Sequence, residues 1–398
     1  MTPLHSPRHV AIACGGTGGH LFPGLAVGQE LRARGFDVTL FISPKEVDQA
    51  GVASVRDQFR LAVLPAIGFS LRKMFPYLQS LRKSWSEVST VFQAHPPGAV
   101  LAMGGFTSVV PIMAARRAGA ATLLHESNTI PGRANQWLAP WVDECLVGFE
   151  EAAARLRNRR VTRTGTPVRA AFVAAKSEEA RRRLGLDPSA PVLLVMGGSQ
   201  GASGINRLMA AAYPEIVRQV PNCQWVHITG TREFLNYEAV SKNWPGRGRI
   251  LAFSSEMELW MAAATAAVTR AGASSLAESA AVRLPSVLIP FPSATADHQT
   301  WNARAFARHG AAYLLPEAEA TSQRLVSLLV PLLTGASCRE TMQTALSRLA
   351  VPEAASRIAD RVVAAFARRN PRSANPVVPG MSAFSEKEAS FDTTEVCS

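Results

Sequence analysis

Cysteine is scarce in this sequence, and the few that occur are not arranged as metal ligands or as a disulfide framework. Five occur among 398 residues, at positions 14, 145, 223, 338 and 397, with no Cys-x-x-Cys pair. Disulfide-dependent secreted domains use far more cysteine, and structural zinc sites use paired cysteines. The spacing therefore argues against both classes and favours a protein of the reducing cytoplasm.

Long apolar segments are also missing, as is a signal-peptide pattern at the N-terminus. The uncharged stretch at residues 99–115 contains two glycines and a proline. A bilayer-spanning helix needs about 20 consecutive apolar residues, so this stretch is better explained as strand, glycine turn and helix. We predict no transmembrane helix, and the polar first nine residues predict no cleaved leader.

Several ligand-binding signatures are absent as well. No Asp-x-Asp triplet occurs, so the carboxylate pair that commonly holds a diphosphate-bound metal is lacking. We therefore predict no obligatory protein-bound metal and no cofactor. The first glycine loop is not followed by Gly-Lys-Ser/Thr, which excludes a Walker A loop, and it lacks the third glycine of a dinucleotide fingerprint. A nicotinamide-dependent oxidoreductase is disfavoured on this ground.

Basic charge and apolar residues are both plentiful. Lys and Arg number 42 against 30 Asp and Glu, a formal net charge of +12, and 47% of the residues are hydrophobic. The tail at 371–398 is slightly acidic and rich in Ser, Pro, Glu and Thr, so the basic charge belongs to the folded part. We expect this tail to be disordered. The charge is compatible with nucleic acid, an anionic membrane or a phosphorylated substrate.

One glycine-rich loop organises the first half of the chain. The motif Gly15-Gly-Thr-Gly-Gly-His20 stands between an apolar run at 10–13 and a stretch of helical periodicity at 21–31. This order predicts strand, loop and helix, and it brings backbone N–H groups and the positive end of a helix to one point. Such a loop suits an anion or a polar sugar, although glycine turns after a first strand are also common structural features. His20 can move a proton near neutral pH.

Two further strands of the first half are predicted to end in polar or glycine clusters. Residues 99–103 lead into Gly104-Gly-Phe-Thr-Ser108, and residues 120–124 lead into His125-Glu-Ser-Asn128. Open parallel sheets bind ligands beyond the carboxyl ends of their strands. Three such clusters in one half are therefore better support for a binding site than any one of them.

The second half repeats the same order after a turn near residues 164–169. An apolar run at 192–196 leads into Gly197-Gly-Ser-Gln-Gly-Ala202, and a helix follows. The chain is thus predicted to hold two Rossmann-like halves, each opening on a glycine loop. If these two loops face each other, they form a cleft.

Two more motifs of the second half have the chemistry of a nucleotide-sugar site. Residues 266–270 precede small residues and a helix that carries Glu278 in its first turns. A carboxylate there can accept two ribose hydroxyls, but it can equally complement the helix dipole. Residues 286–290 precede Asp297-His-Gln-Thr-Trp-Asn302, a polar run suited to sugar hydroxyls.

A basic and apolar segment lies between the first glycine loop and the motif at 104–108. Over residues 69–85, large apolar side chains alternate with Arg72, Lys73, Arg82 and Lys83. Such an amphipathic segment can lie on an anionic membrane surface. The alternative is an ordinary surface helix whose apolar face packs on the core.

Taken together and in this order, the six motifs resemble the MurG family of peptidoglycan N-acetylglucosaminyltransferases, over about residues 8–368. The resemblance implies the α/β class and a GT-B fold, in which two Rossmann-like domains with parallel sheets face each other across a cleft. The implied divisions are an acceptor and membrane domain, a UDP-sugar domain, a helix returning to the first domain and a tail, at 1–165, 166–355, 356–370 and 371–398.

The resemblance also implies an activity. It is the inverting transfer of N-acetylglucosamine from UDP-N-acetylglucosamine to the 4-hydroxyl of N-acetylmuramate in lipid I, undecaprenyl-pyrophosphoryl-MurNAc-pentapeptide. The products are lipid II and UDP, in peptidoglycan synthesis and hence in cell shape and division. The implied partners are both substrates, an anionic membrane at the cytoplasmic face of the inner membrane and other cell-wall synthesis proteins, with no nucleic acid.

Residue roles follow from the same resemblance. His20 is the candidate catalytic base, Glu278 would hold the ribose hydroxyls, and Gln299 would contact the donor sugar. The implied donor site comprises Thr17, Gly18, Gly19, Asn128, Arg169, Ser199, Ser254, Ala273, Ser274, Ser275, Leu276, Ala277, Glu278, Gln299 and Asn302. The implied acceptor side comprises Gly104, Gly105, Phe106, Thr107, His125 and Glu126.

Two other functions remain as alternatives. Another GT-B transferase, with a different lipid or small-molecule acceptor, would have similar donor motifs, although the loops at 104–108 and 125–128 argue against it. A nucleotide-sugar-binding regulator without catalysis would be favoured if His20 were replaced, and it is present.

Overall fold

The computed structural model of the chain describes residues 8–66, 74–198, 201–292 and 297–370. These ranges contain two β-sheets, and every pairing between neighbouring strands is parallel. Helices connect successive strands, as parallel pairing requires. The predicted α/β class with two parallel sheets is confirmed.

The first sheet has seven strands in the order β3-β2-β1-β4-β5-β6-β7. Its strands are β1 (His9–Ala13), β2 (Asp37–Ile42), β3 (Arg60–Val63), β4 (Ala99–Ala102), β5 (Ala121–Glu126), β6 (Glu144–Val147) and β7 (Val161–Arg163). The second sheet has six strands in the order β10-β9-β8-β11-β12-β13. Its strands are β8 (Val192–Met196), β9 (Gln224–Ile228), β10 (Arg247–Leu251), β11 (Ala266–Thr269), β12 (Ser286–Leu288) and β13 (Tyr313–Leu314).

Helices connect these strands along the chain. Those of the first half are α1 (Gly18–Ala33), α2 (Glu46–Val52), α3 (Met74–Ala94), α4 (Val109–Arg117) and α5 (Arg133–Leu138). Those of the second half are α6 (Ala170–Ala174), α7 (Ser177–Leu184), α8 (Ser203–Gln219), α9 (Phe234–Ser241), α10 (Met257–Ala263), α11 (Ala273–Ala281), α12 (His298–Arg308), α13 (Ser322–Thr334) and α14 (Ala336–Leu349). The last helix is α15 (Ala354–Arg369).

The two sheets share one winding pattern. In each, the first strand of the half lies in the interior, and the chain moves outward on one side before returning to the other. The sheet order therefore reverses between β1 and β4 in the first half and between β8 and β11 in the second. In doubly wound folds, ligands bind beyond the carboxyl ends of the strands at these reversal points.

Three strands were not foreseen from the sequence. β6 begins with a buried glutamate, β7 lies in a polar and basic run, and β13 has two residues. Apolar periodicity detects strands that carry several apolar residues. These three strands are short or charged, and their pairing with a neighbouring strand defines them.

The last helix packs on the first sheet rather than on the second. On α15, Ile358, Val362 and Phe366 belong to the same core as β1 and α1. The Phe366 ring meets the Phe36 ring edge to face at 5.2 Å, and Arg361 pairs with the buried Glu144 at 2.7 Å. The end of the chain is thereby joined to the half in which the chain began.

Three features of the sequence analysis lie wholly or partly outside the described residues. They are Ser199, residues 69–73 of the basic segment and the tail at 371–398. Within the described ranges, no helix is both long and apolar enough to cross a bilayer.

Candidate active site

The glycine motifs follow the strands that flank the two reversal points. In the first half, the loop at 14–19 follows β1, and Gly104 and Gly105 come after β4. In the second half, Gly197 and Gly198 follow β8, and residues 270–272 follow β11. All four segments therefore lie at the carboxyl edges of the sheets, where such folds bind ligands.

The first glycine loop is held in place by a buried carboxylate. Asp48 accepts hydrogen bonds from the Gly16 N–H at 2.7 Å and from the N–H and hydroxyl of Ser43 at 3.0 and 2.6 Å. Lys45 donates to the Gly16 carbonyl at 2.8 Å and lies over the Phe106 ring. Gly16 has φ +114°, a conformation in which a residue with a side chain would be strained. The loop geometry is thus fixed before any ligand binds.

His20 lies against the bare backbone of the second glycine motif. A Cβ at Gly104 would fall 3.0 Å from His20 Nε2, and a Cβ at Gly105 would fall 3.1 Å from Nδ1. Both glycines have positive φ, +107° and +76°. Their small size leaves the space in which the imidazole lies, so the two motifs form one site.

The His20 imidazole is neutral at physiological pH. Burial lowers the pKa of His20 to about 4; the Asp48 carboxylate opposes this shift, while Lys45 and His298 add to it. One ring nitrogen, Nδ1, lies 3.2 Å from the Thr17 hydroxyl. When Nδ1 carries the hydrogen and donates it to Thr17, Nε2 is left as a proton acceptor. This tautomer is the one that a general base requires.

Two helix N-termini meet across the cleft. The Ser274 hydroxyl, in the first turn of α11, donates to the Gly19 carbonyl at 3.3 Å, in the first turn of α1. The residues that precede these helices, Thr17 and Gly272, make no side-chain capping hydrogen bond. Helix N-termini present N–H donors and partial positive charge. Their convergence makes a site suited to a diphosphate.

Arg169 lies between the halves at the same cleft. Its guanidinium lies over the Phe172 ring at 4.9 Å and over the Phe22 ring of α1 at 5.4 Å. It donates to Glu258 at 3.1 Å, and its buried Nε has no partner among the described residues. A buried donor without a partner is costly, so an anionic ligand there would be stabilised.

Glu278 titrates near neutral pH in this environment. Burial raises the pKa of Glu278 to about 7; Arg169 opposes the shift and Glu258 adds to it. Perturbed carboxyl groups in a cleft are typical of functional sites. The ordinary alternative, an exposed charge at a helix end, is disfavoured by this burial.

Known proteins match the chain over most of its length. The model of the glycosyltransferase family 28 N-terminal domain matches residues 10–147, and that of the C-terminal domain matches residues 192–358. A protein of Carboxydothermus hydrogenoformans, named UDP-N-acetylglucosamine–N-acetylmuramyl-(pentapeptide) pyrophosphoryl-undecaprenol N-acetylglucosamine transferase, is 37% identical over 81% of this chain and 88% of its own. The chain belongs to the MurG family of glycosyltransferases.

Two other comparisons agree with this MurG assignment. A protein of the same name from Symbiobacterium thermophilum is 36% identical over 88% of this chain and 95% of its own. The crystal structure of Acinetobacter baumannii MurG is similar at a TM-score of 0.70 and 23% identity, covering 89% of this chain and 99% of that one. The structural similarity shows the shared fold, and the sequence identities show the family.

Within this MurG fold, the predicted donor residues do not all face the cleft. Asn302 was predicted to contact the donor sugar, but it is fully buried, and its amide is bonded to Thr129, Asn128 and Ala271. In this arrangement of the two halves, protein groups occupy the hydrogen-bonding positions of the Asn302 amide, and its contact with the donor sugar stays a prediction. A buried amide at a domain junction has the same sequence signature as an exposed one.

Two predicted acceptor residues are likewise interior. The buried His125 imidazole bonds to the Gly165 carbonyl at 2.9 Å, and the buried Glu126 carboxylate accepts four N–H groups, from Asn128, Gly132 and Asn135. Their side chains hold the loop after β5 rather than face a ligand. Phe106 and Thr107 adjoin the first glycine loop, where the Thr107 hydroxyl donates to the Gly15 carbonyl at 2.8 Å.

The remaining predicted donor residues have defined surroundings. Gln299 accepts from the Phe291 N–H at 3.0 Å through Oε1, which orients its amide N–H groups away from that bond. The Ser254 hydroxyl accepts from the Glu256 N–H and the Trp260 indole, both at 3.1 Å. These bonds occupy the acceptor positions of the Ser254 hydroxyl, so contact with a base would use its O–H as a donor or its backbone.

Sequence analysis missed three residues that shape this site. Asp48 and Lys45 fix the first glycine loop, and Glu258 pairs with Arg169. None lies in a glycine motif: Lys45 and Asp48 come from the start of α2, and Glu258 comes from α10. A charged residue in a first helical turn, as Asp48 and Glu258 are, was the available signal, but it is common in helices of every function.

Proposed function

We propose that this chain is an inverting hexosyltransferase that moves N-acetylglucosamine from UDP-N-acetylglucosamine to the 4-hydroxyl of N-acetylmuramate in lipid I, yielding lipid II and UDP. The single observation that carries the proposal is the placement of His20. It lies on the glycine backbone of the first half, next to the point where α1 meets the N-terminus of α11.

Glycosyl transfer needs a base for the acceptor hydroxyl and stabilisation of the departing diphosphate. The neutral His20 imidazole removes the hydroxyl proton through Nε2 as the new glycosidic oxygen–carbon bond forms. The bond from the sugar carbon to the UDP oxygen breaks, and the electron pair leaves with UDP. The N–H groups of α11 and the Arg169 guanidinium stabilise the charge that grows on the diphosphate.

Attack from the face opposite the leaving group inverts the configuration of the sugar carbon. The base and the diphosphate site therefore have to lie on opposite sides of that carbon. His20 belongs to the first half, and α11 belongs to the second. This separation supports a single displacement without a covalent glycosyl-enzyme.

The proposal is tested by UDP release from UDP-N-acetylglucosamine with and without a lipid I analogue. Wild-type protein should release UDP only when the acceptor is present. His20→Ala should lose turnover, by about 10²–10⁴-fold, while still binding the donor. His309→Ala, an exposed histidine of the second half, is the matched control and should retain full turnover. Acceptor-independent release would favour another GT-B transferase, and full turnover by His20→Ala would remove His20 as the base.

We further propose that the first half attaches to the cytoplasmic face of an anionic bilayer, where lipid I is available. On α3, Phe75 and Leu78 are 76% and 54% exposed, and the exposed Arg82 and Lys83 follow them. The exposed Trp137 lies on α5, and the exposed Trp141 lies in the short turn that follows α5. Apolar side chains flanked by basic ones fit a headgroup surface.

Vesicle flotation tests this attachment. Phe75→Ser with Leu78→Ser should lose binding to anionic vesicles, since both side chains would be withdrawn from the bilayer. Leu235→Ser is the matched control, because Leu235 is 73% exposed on α9 of the second half. Equal loss by both variants, or retention by the double variant, would contradict an α3 membrane surface.

A further inference from the structure

One buried amide joins the two halves of the molecule beside the cleft. Asn302, on α12, accepts hydrogen bonds from the backbone N–H and the hydroxyl of Thr129, both at 2.9 Å. Its Nδ2 donates to Asn128 Oδ1 at 3.0 Å and to the Ala271 carbonyl at 3.1 Å. An amide has two donor and two acceptor positions, so protein groups use all four.

A buried carboxylate determines which way the neighbouring amide points. Glu126 accepts from the Asn128 N–H at 2.8 Å and from Asn128 Nδ2 at 3.0 Å. A carboxylate can only accept, so Asn128 must turn Nδ2 toward Glu126 and Oδ1 toward Asn302. The Asn302 amide is oriented in turn, with its N–H groups toward Asn128 and its oxygen toward Thr129. Donation thus runs from Asn302 through Asn128 to Glu126 on one side, and from Asn302 to the Ala271 carbonyl on the other.

This chain of bonds crosses from one half to the other. Glu126, Asn128 and Thr129 belong to the first half, whereas Asn302 and Ala271 belong to the second. The bonds from Asn302 to Thr129 and Asn128 therefore exist only at the present separation of the halves, whereas its bond to the Ala271 carbonyl lies within the second half. Separation would leave the Thr129 N–H and hydroxyl and Asn128 Oδ1 without these partners, and buried polar groups are costly when unpaired.

We propose that Asn302 is a positioning residue for donor binding. It closes the two halves on each other and fixes the half-buried Asn128 amide so that its second N–H is presented to the donor sugar. Closure and sugar recognition are coupled because the Asn128 amide bonds to Asn302 across the halves and also contacts the sugar. This inference rests on the proposed function, since the role of Asn128 toward the sugar follows from that function.

The coupling predicts different effects on the affinity for UDP-N-acetylglucosamine and on the affinity for UDP. UDP would bind the second half, through Arg169 and the N-terminus of α11, and it lacks the sugar that Asn128 would contact. Loss of the Asn302 bonds should therefore weaken UDP-N-acetylglucosamine more than UDP. A residue that merely stabilises the fold would change both affinities equally.

The test is isothermal titration of the full chain with UDP and, separately, with UDP-N-acetylglucosamine. Asn302→Asp keeps the acceptors for Thr129 but sets an oxygen against the Asn128 and Ala271 oxygens. We expect its dissociation constant for UDP-N-acetylglucosamine to rise about tenfold more than that for UDP. Thr129→Val, which removes one bond and keeps the backbone N–H, should give a smaller selective loss of about threefold.

Asn158→Asp is the matched control. Asn158 also donates from a side-chain amide to two backbone carbonyls, those of Ala139 and Val142, but it lies wholly within the first half. Its replacement should leave the ratio of the two dissociation constants unchanged. A changed ratio in this variant would show that general loosening, rather than the Asn302 bonds, lowers sugar affinity.

The outcomes distinguish this inference from the proposed function. Suppose that wild-type protein transfers sugar to the acceptor. If Asn302→Asp and Thr129→Val each lower the affinities for UDP and for UDP-N-acetylglucosamine by the same factor, or leave both affinities unchanged, the positioning role is overturned and the function stands. If wild-type protein binds UDP-N-acetylglucosamine no better than UDP and releases no UDP with acceptor, the proposed function itself fails. Selective loss in either variant supports the coupling.

Discussion

The imidazole of His20 lies against Gly104, where a β-carbon would fall 3.0 Å from Nε2. Gly104 also has φ +107°, a backbone conformation in which an alanine would be strained. We expect Gly104→Ala to displace His20 and to lower kcat by about 10²-fold, because a shift of roughly 1 Å in a catalytic group has this effect.

A substitution at a second glycine distinguishes the effect of backbone strain from the effect of displacing His20. Gly119 has φ +74° and open space where a β-carbon would lie. Gly119→Ala therefore carries a similar backbone strain far from His20, and it should lower stability but keep kcat. Steady-state kinetics with thermal unfolding of both variants checks this, and a similar kcat in both would contradict the steric argument.

The pH dependence of turnover reports the His20 environment. Burial lowers the pKa of His20 to about 4, so the base is already neutral well below physiological pH. At saturating donor, kcat/KM for the acceptor should stay flat as pH falls from 8 to about 5.5, and should drop only as His20 becomes protonated near its pKa. A decline centred near pH 6.5, the ordinary histidine value, would show that His20 is hydrated or is not the base.

Donor affinity should also rise with pH, but at a higher pH than turnover does. Burial raises the pKa of Glu278 to about 7, so the carboxylate that accepts ribose hydroxyls forms only as pH rises through 7. If the ionised form binds, affinity for UDP-N-acetylglucosamine should increase by about tenfold between pH 6 and 8.

Glu278→Gln should abolish that pH dependence, because an amide does not titrate. Glu238→Gln, at an exposed carboxylate on α9, is the control and should keep it. Calorimetric titration at pH 6, 7 and 8 is sufficient. The idea fails if the wild-type affinity is constant over this range.

The docking of α15 should contribute strongly to stability. Phe366 is buried against Phe36, and a β-carbon on Gly98 would fall 2.2 Å from its ring. Phe366→Ala should lower the free energy of unfolding by about 3–5 kcal/mol, the range for a buried aromatic ring. Urea unfolding monitored by circular dichroism measures this change. Leu235→Ala, at an exposed site, should stay within about 0.5 kcal/mol of wild type.

Much of the fold was predictable because the signals are local. The strands before Gly15, Gly104 and Gly197 are continuous apolar runs, and a glycine loop ends each of them. Strands β6, β7 and β13 were missed because their few residues become strands by pairing with neighbours. Local pattern therefore predicted the longer apolar strands and missed the short or charged ones, which lie toward one end of each sheet.

The candidate site was predictable to a similar degree. His20 and Glu278 stand in motifs whose chemistry can be inferred from residue type and neighbours, whereas the contributions of Asp48 and Glu258 depend on distant chain segments. Asn302 shows the limit most clearly. Its polar motif suggested a ligand contact, whereas in the structure it is buried and its amide bonds to residues of both halves.

The sequence by itself determined the parallel α/β class, the two glycine-loop halves and the family, because apolar runs, glycines and motif order are properties of the chain. Only the tertiary structure decided which loops meet, how His20 is accommodated on Gly104 and which groups bond to the Asn302 amide. The physical reason is that burial, pKa and hydrogen-bond satisfaction depend on which groups surround a side chain. Those neighbours come from elements far apart in sequence, such as Asn128 and Asn302.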